Sequence, residues 1–600
     1  MYFCKIHIFY PAMKDFFKYV LATLTGFVLA GFAVVVLGLV SVTGILMSES
    51  SAPDVKSGSL LHIDLNGELT ERYVEDPFSS LLGDNFTSIG LEQVLGAIEK
   101  AKTHPDICGI YLSAGMLSGA SPAMTEEIRQ ALVDFKTSGK FIVAYGDTYT
   151  QGCYHVCSAA DCLMLNPQGM LDWHGMGAQP IFFKEMLEKI GVRMQVFKVG
   201  AYKSAVEPFT ATEMSEANRE QIQSYVGSIW RRKLADVSAA RKLSVELLNA
   251  YADTMLALTP AEELLRMRMV DTLCYRDGLR DYLRQRTGTK GNAKLPLLTV
   301  SDMEKLPAAE KPAGDEVAVY YAYGDIVDNA LPGGTPCISA SAVCRDLQRL
   351  RTDKKVKAVV IRVNSGGGSA YASEQIWREV KLLQETKPVV VSMGGMAASG
   401  GYYMSCCAGT LFAEPTTLTG SIGIFGMFPD ASELLTEKLD LHFDVVKTNR
   451  LSDFGTSARP FNETERHLLQ AYIERGYDLF TRRVSEGRKM DIERVKELAQ
   501  GRVWTGEQAV ENGLVDSLGN LKDAVALAAR KCGAKTYTEK HYPEPAPWYE
   551  NLLARKREGY LNSRLRQVLG NYYGSTLLLQ QLNRQHCIQA RMPYDPNFIN

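Results

Sequence analysis

Apolar and polar positions follow three patterns along the chain. Residues 19–47, YVLATLTGFVLAGFAVVVLGLVSVTGILM, run for 29 positions without a charge, and about 20 such residues suffice for a helix to cross a bilayer. From about residue 57 onward, short apolar runs such as ICGIYLSAG (107–115) and VKAVVIRVN (356–364) alternate with stretches at helical spacing. SPAMTEEIRQALVDFKTS (121–138) and SAYASEQIWREVKLLQET (369–386) are two of these. Short β-rich runs alternating with amphipathic helices predict βαβ units and an α/β fold. The polar stretch 215–248 reads as a further helix with a solvated charged face. KLPAAEKPAGDE (305–316) has the composition of a linker, and YENLLARKREGYLNSRLRQVLGN (549–571) reads as a basic amphipathic helix.

The chain also repeats itself at an offset near 248 residues. FIVAYGDTYTQGCYHVCSAADCLMLNP (141–167) lies without a gap on VVSMGGMAASGGYYMSCCAGTLFAEP (390–415), pairing Gly146 with Gly394, Gly152 with Gly400, Tyr154 with Tyr402 and Pro167 with Pro415. LLHIDLNGELTE (60–71) resembles VAVYYAYGDIVD (317–328), and TPAEELLRMRMVD (259–271) resembles WTGEQAVENGLVD (504–516). The expected organisation is a terminus over 1–18, a transmembrane anchor over 19–47, an αβ repeat over 57–300, a linker over 301–315, a second αβ repeat over 316–545 and a helical tail over 546–600.

Lys5, Lys14 and Lys18 precede the uncharged run, and Glu49 and Asp54 follow it. The positive-inside bias then puts the N-terminus in the cytoplasm and both repeats outside, which is periplasmic in a cell with two membranes. A run this long exceeds the 7–15 apolar residues of a cleaved signal peptide. Lys and Arg total 66 against 68 Asp and Glu, so no global charge argues for nucleic acid as a partner. The 12 cysteines and 9 histidines show no CxxC, no HExxH and no spacing for tetrahedral zinc. No cofactor or metal is expected.

Two segments of the second repeat carry candidate chemistry. In VIRVNSGGGSA (360–370), three glycines between a strand and a helix permit close backbone approach, with N–H groups free to face an oxyanion. The run lacks the ending of a phosphate-binding loop and the spacing of a dinucleotide fold. In GGMAASGGYYMS (394–405), Ser399 sits at a strand-to-helix turn beside the Gly400 N–H, where a nucleophilic hydroxyl and half of an oxyanion hole would stand. Tight helix packing explains the same small residues equally well. The repeat shifts the balance, because the partner of Ser399 in the first copy is Gln151, whereas the ungapped partner of Lys203 in the second is Leu451. Each copy thus keeps a different polar group. Taken alone, Lys203 reads as the surface ion-pair partner of Glu207, four residues on.

YKSAVEPF (202–209), NSGGGSA (364–370), MAASGGYYMS (396–405), LTGSIGIFG (418–426) and GRVWTGEQAVENGLVD (501–516) together resemble the signal peptide peptidase A family in its long, duplicated, membrane-anchored bacterial form. Gly366 departs from the pattern, standing where the family is expected to carry proline. The resemblance implies two tandem Clp-protease-like or crotonase-like αβ domains, Ser399 as nucleophile, Lys203 as general base, Ser421 orienting the lysine amine, and an oxyanion hole from the N–H groups of Gly368 and Gly400. Trp173 stands at the place of Ser421 in the first copy. It further implies a homo-oligomer, a tetramer in the long form, acting on signal peptides and other hydrophobic peptides.

A lysine with an ordinary pKa of about 10.4 is protonated at neutral pH and accepts no proton. The expected base must therefore lie in an apolar, water-poor pocket, because burial favours the neutral amine. Two other readings make different demands. An esterase or other acyl hydrolase would pair Ser399 with a histidine such as His442 or His467, although AASGG only approximates GxSxG. A non-catalytic membrane scaffold would bind peptides without needing Ser399 and Lys203 together.

Overall fold

In the computed structural model, the described residues are 16, 18–33, 53–73, 88–291, 293–307, 314–330, 336–544 and 588–592. Residues 18–33 are helical and exposed. Among the described residues no helix is long and apolar enough to cross a membrane, and the rest of the run 19–47 lies outside them, as does 546–587 of the expected helical tail.

Each repeat folds around a mainly parallel sheet with the same strand order. In the first, strands Ser59–Thr70, Ile107–Ser118, Phe141–Tyr149, Cys162–Leu171 and Thr272–Leu273 lie side by side in a seven-stranded sheet. In the second, Asp315–Tyr323, Val356–Ser365, Val389–Ala398, Thr410–Ala413 and Ser517–Leu518 repeat that succession in an eight-stranded sheet. Parallel strands covered on both faces need continuous apolar sequence; accordingly nine of the ten residues of Val389–Ala398 are buried. The crossover helices begin where the sequence supplies caps: the Ser121 hydroxyl accepts from the Met124 N–H at the start of Pro122–Lys136, and Asn462 and Glu465 form a capping box on Glu463–Arg488.

The duplication extends to individual hydrogen bonds. Tyr154 Oη donates to the Met269 carbonyl and Tyr402 Oη to that of Leu514, both at 2.8 Å. The Leu163 N–H donates to Asp271 at 2.8 Å and the Leu411 N–H to Asp516 at 2.7 Å. The two 26-residue helices Glu216–Arg241 and Glu463–Arg488 both end on a left-handed lysine, Lys242 and Lys489.

A third sheet joins the repeats and departs from the expected domain boundaries. Its order is Cys337–Ser339, Asp325–Val327, Gly367–Ser369, Ile588–Arg591, Phe425–Asp430 and Arg193–Lys198. Arg193–Lys198 belongs to the first repeat in sequence but pairs antiparallel with Phe425–Asp430 of the second. Ile588–Arg591 lies in the stretch expected to be a helical tail, yet it is a strand, because its backbone groups are taken up by neighbours on both sides. The expected linker over 301–315 is also partly structured. Thr299 and Asp302 form a capping box on helix Val300–Lys305, Met303 is buried, and Lys100 Nζ donates to the carbonyls of Met303 and Leu306 at 2.7 and 2.8 Å. Asp315 already belongs to a strand.

Buried charge also crosses between the repeats. Arg362, on the strand Val356–Ser365, is 1% exposed and pairs with Glu71 and Glu127 of the first repeat. Glu414 lies in the same acidic group, with Gln130 Nε2 donating to its Oε2 at 2.9 Å and its Oε1 left without a partner. Burial, together with Glu127 and Glu126, pushes the Glu414 carboxyl up to about 9. Burial likewise raises Glu127, to about 7, against the pull of Arg362.

An acid whose pKa is raised on folding stabilises the fold fully below its unfolded pKa, and that contribution is lost as pH rises through the folded value. For Glu414 the window runs from about pH 4.5 to 9. Glu414→Gln should therefore melt progressively higher relative to wild type as pH is raised from 5 to 9, with the gap widening throughout that window. A difference between the two melting temperatures that does not change with pH would contradict the assignment.

Candidate active site

Ser399 stands between the strand Val389–Ala398 and the helix Gly400–Ser405. Its backbone, at φ 53° and ψ −111°, is in a region a non-glycine residue rarely occupies. Two bonds hold that turn: the Ser399 N–H donates to the Gly420 carbonyl at 2.7 Å, and the Ser399 carbonyl accepts from the Tyr403 N–H at 2.8 Å. The result is a fully buried hydroxyl aimed off the end of a central strand.

Lys203 reaches that hydroxyl because the first repeat lends its strand Arg193–Lys198 to the third sheet. Beyond this strand, the Tyr202 N–H donates to the Gln500 carbonyl at 3.0 Å. Ala205, Val206 and Phe209 pack with Phe425 and Met427 of the neighbouring strand. Gly501, at φ +83°, lies directly under Lys203, and a Cβ there would stand 2.7 Å from the lysine N, Cα and Cβ. Gln221 ties the loop to the second repeat. Its amide donates to the Tyr202 carbonyl at 3.0 Å and to Ser204 Oγ at 2.8 Å, while its oxygen accepts from the Val503 N–H at 3.2 Å.

The lysine Nζ is 2.8 Å from Ser399 Oγ, 3.0 Å from the Ser421 carbonyl oxygen and 3.0 Å from Ser421 Oγ. Ser421 is itself buried and held at φ 48°, its N–H donating to the Arg502 carbonyl at 2.7 Å. Lys203 is 0% exposed, and burial alone drives its pKa well below the usual lysine value. Glu207, the ion-pair partner read from the sequence, instead accepts from Ser215 Oγ at 2.6 Å and Asn218 Nδ2 at 2.8 Å. The amine is therefore buried beside neutral oxygens.

Gly368 lies in the short strand Gly367–Ser369, and Gly400 opens the helix after Ser399. The two segments adjoin, since a Cβ on Gly367 would come 2.9 Å from the Gly400 N. Gly366 leads into this strand, and its carbonyl accepts from the Met592 N–H at 2.7 Å. The histidines considered as bases lie elsewhere: His442 is exposed beside Asp440 at 3.7 Å, and His467 is on the exposed face of Glu463–Arg488. The corresponding place in the first repeat is filled. Gln151 Nε2 donates to the Gly175 carbonyl at 2.8 Å and its Oε1 accepts from the N–H groups of His174 and Gly175, while Trp173 is buried with its indole N–H on the Leu248 carbonyl. Leu451 is a half-buried turn residue.

Sequence reasoning placed Ser399, Lys203 and Ser421 in one site and missed the two residues that seat the lysine. Gly501 was in view as the first residue of a motif but had no assigned partner. Gln221 lies in a helix that reads as polar surface, and only its spacing to the buried Asn218 and Tyr225 on one helix face hints at burial.

The profile of peptidase family S49 matches this chain twice, over residues 134–290 and 381–535, and that of Clp protease matches 331–417. Protease 4 of Salmonella typhi is 36% identical over 511 residues, covering 82% of each chain. Protease 4 of Haemophilus influenzae is 35% identical over 520 residues, covering 84% of this chain and 83% of its own. The chloroplastic serine protease SPPA of Arabidopsis thaliana is 32% identical over 483 residues, covering 80% of this chain and 70% of its own.

The strained turn at Ser399 predicts an order of stabilities. Ser399→Gly and Ser399→Ala both remove the hydroxyl, but only glycine relieves a backbone strain worth about 1–3 kcal/mol. Ser399→Gly should therefore melt above Ser399→Ala. Equal melting temperatures would mean that the turn is unstrained.

Proposed function

The chain belongs to peptidase family S49 and is a serine protease, and on that premise we propose that Ser399 is its nucleophile and Lys203 its general base, acting on hydrophobic peptides. The observation that carries this reading is the 2.8 Å contact between a buried amine, with burial as the whole cause of its lowered pKa, and a hydroxyl on a strained turn. A neutral amine has two N–H groups and one lone pair. With the N–H groups donated to the Ser421 carbonyl and hydroxyl oxygens, the lone pair is left for the Ser399 O–H. The amine takes that proton as Ser399 Oγ attacks a peptide carbonyl, and returns it to the departing amine. Water then hydrolyses the ester, with the same lysine as base. The N–H groups of Gly368 and Gly400 would stabilise the oxyanion.

Apolar surroundings favour apolar substrates. Ala398, Leu418, Val503 and Ile222 cluster beside Ser399, and an open groove of about 410 Å³ that shares Ile222 with this cluster is lined by Met176, Met214 and Trp230 together with Arg219 and Gln223. The uncharged run 19–47 would anchor the enzyme to the membrane with both repeats outside the cytoplasm. Signal peptides left in the bilayer after preprotein processing are then the natural substrate class, presented where the site is held.

Hydrolysis of an apolar fluorogenic peptide tests the chemistry. Wild-type kcat/KM should rise with pH through an apparent pKa well below 10.5, the side on which burial displaces Lys203. Ser399→Ala and Lys203→Ala should lose about 10²–10⁴-fold or more. Ser421→Ala, which removes one hydrogen bond to the amine, should lose roughly 10–100-fold. Undiminished activity in Lys203→Ala would refute the base assignment.

A further inference from the structure

The loop that carries Lys203 and the segment that carries Gly501 are joined a second time, on their outer side, by Arg502. Its guanidinium lies 4.8 Å from the centre of the Tyr202 ring and 4.5 Å from that of the Trp504 ring. Nη1 donates to Tyr202 Oη at 3.2 Å, and Nη2 pairs with Glu220 at 2.9 Å. Tyr202 Oη in turn donates to Glu220 at 3.0 Å, and the Trp504 indole N–H is fixed on the Leu498 carbonyl at 3.0 Å. A planar guanidinium can meet aromatic rings and pair along its edge at once, which a compact ammonium group does less well.

The main chain of the same residue reaches the amine from the other side. The Arg502 carbonyl accepts from the Ser421 N–H at 2.7 Å, and the Ser421 carbonyl and hydroxyl oxygens both face Lys203 Nζ. Contacts thus close into a ring: Arg502 side chain to Tyr202, peptide bond to Lys203, amine to Ser421, and Ser421 N–H back to the Arg502 carbonyl. The Arg502 side chain is 21% exposed and that of Glu220 55%, whereas Lys203 and Ser421, one step inward along this ring, are fully buried.

The duplication separates this clamp from what the fold needs. Met255, at φ 52°, makes the left-handed turn that Gln500 makes at φ 54°, and the helices Ala261–Arg266 and Gly506–Glu511 follow these turns at the same spacing. Yet Ala257 stands in the first copy at the place of Arg502, and exposed Arg450 stands in the second at the place of Tyr202. Like the dyad, the clamp takes one partner from each repeat. Its charge is not what keeps the amine neutral, since burial alone displaces Lys203 and Glu220 matches the arginine.

We propose that Arg502 is a positioning residue for the reaction: held by Tyr202, Trp504 and Glu220, it shuts the lysine loop against the second repeat, fixing Lys203 Nζ between Ser421 and Ser399 and keeping water from it. The proposal rests on the Ser399/Lys203 reading.

The pH dependence of kcat and KM for the fluorogenic peptide, measured on the full chain beside thermal melting, tests this. Arg502→Ala should lower kcat by roughly 10–100-fold, with KM changed by less than about 3-fold, because a loosened base is misplaced for the proton it must take. Its apparent pKa should rise towards the ordinary lysine value of about 10.4, because an opened seat admits water. Arg502→Lys keeps the charge without the planar face and should follow Arg502→Ala. Glu220→Ala, at an exposed position, should move kcat and the apparent pKa in the same directions by less, and it reads the clamp should Arg502→Ala fail to fold. An unmoved apparent pKa in Arg502→Ala, whatever its melting temperature, would overturn the proposal and leave the dyad standing, as would wild-type kcat in Arg502→Lys. If Arg502→Ala does not fold, a wild-type apparent pKa in Glu220→Ala would do the same. Undiminished activity in Lys203→Ala would overturn the dyad and the proposal with it.

Discussion

The structure is organised around one desolvated amine. Lys203 is fully buried, and its Nζ meets three neutral oxygens, those of Ser399 and Ser421, within 3.0 Å. Water would favour the ammonium ion; the fold removes the water and supplies no counter-charge. Each unit by which the pKa falls costs about 1.36 kcal/mol of folding free energy at lower pH, and interactions elsewhere in the fold must offset it. The pairing of Arg193–Lys198 with Phe425–Asp430, the close approach of Gly501 and the bridging amide of Gln221 all hold the backbone around Lys203 against the second repeat.

Both copies are needed for this. The first provides the lysine and fills its own equivalent place with Gln151 and Trp173; the second provides the serine turn, Ser421 and the glycine strand. Arg362 with Glu71 and Glu127 binds the same two bodies through charge, a costly arrangement in a low-dielectric interior but one that tolerates little misalignment. A shift between the repeats large enough to separate Lys203 from Ser399 would also unpair that buried arginine. Site geometry and interdomain register are therefore coupled through rigid packing.

Much of this was legible in the sequence. The parallel-sheet repeats were visible because strands buried on both faces need continuous apolar runs; the asymmetry at Ser399/Gln151 and Leu451/Lys203 showed that each copy keeps a different polar group, and the resemblance of the linked motifs to a known family is what joined Ser399, Lys203 and Ser421 into one site. What escaped was decided by tertiary contact. The capping box at Thr299 and Asp302 was masked by the proline and charge that follow it. The strand Ile588–Arg591 follows a basic amphipathic pattern, and at four residues it is too short to show an alternation of its own. Gly501 matters through the Cβ it lacks, which only the position of Lys203 explains.

The most direct test of the account is the protonation state of Lys203 in the resting enzyme, followed by NMR of lysine labelled with ¹³C at Cε, the resonance being assigned by its loss in Lys203→Arg. The account predicts that Lys203 titrates well below 10.5, the ordinary lysine value, apart from the exposed lysines. A Lys203 resonance that titrates with them would contradict the central claim, because an ammonium ion has no lone pair with which to accept the Ser399 proton.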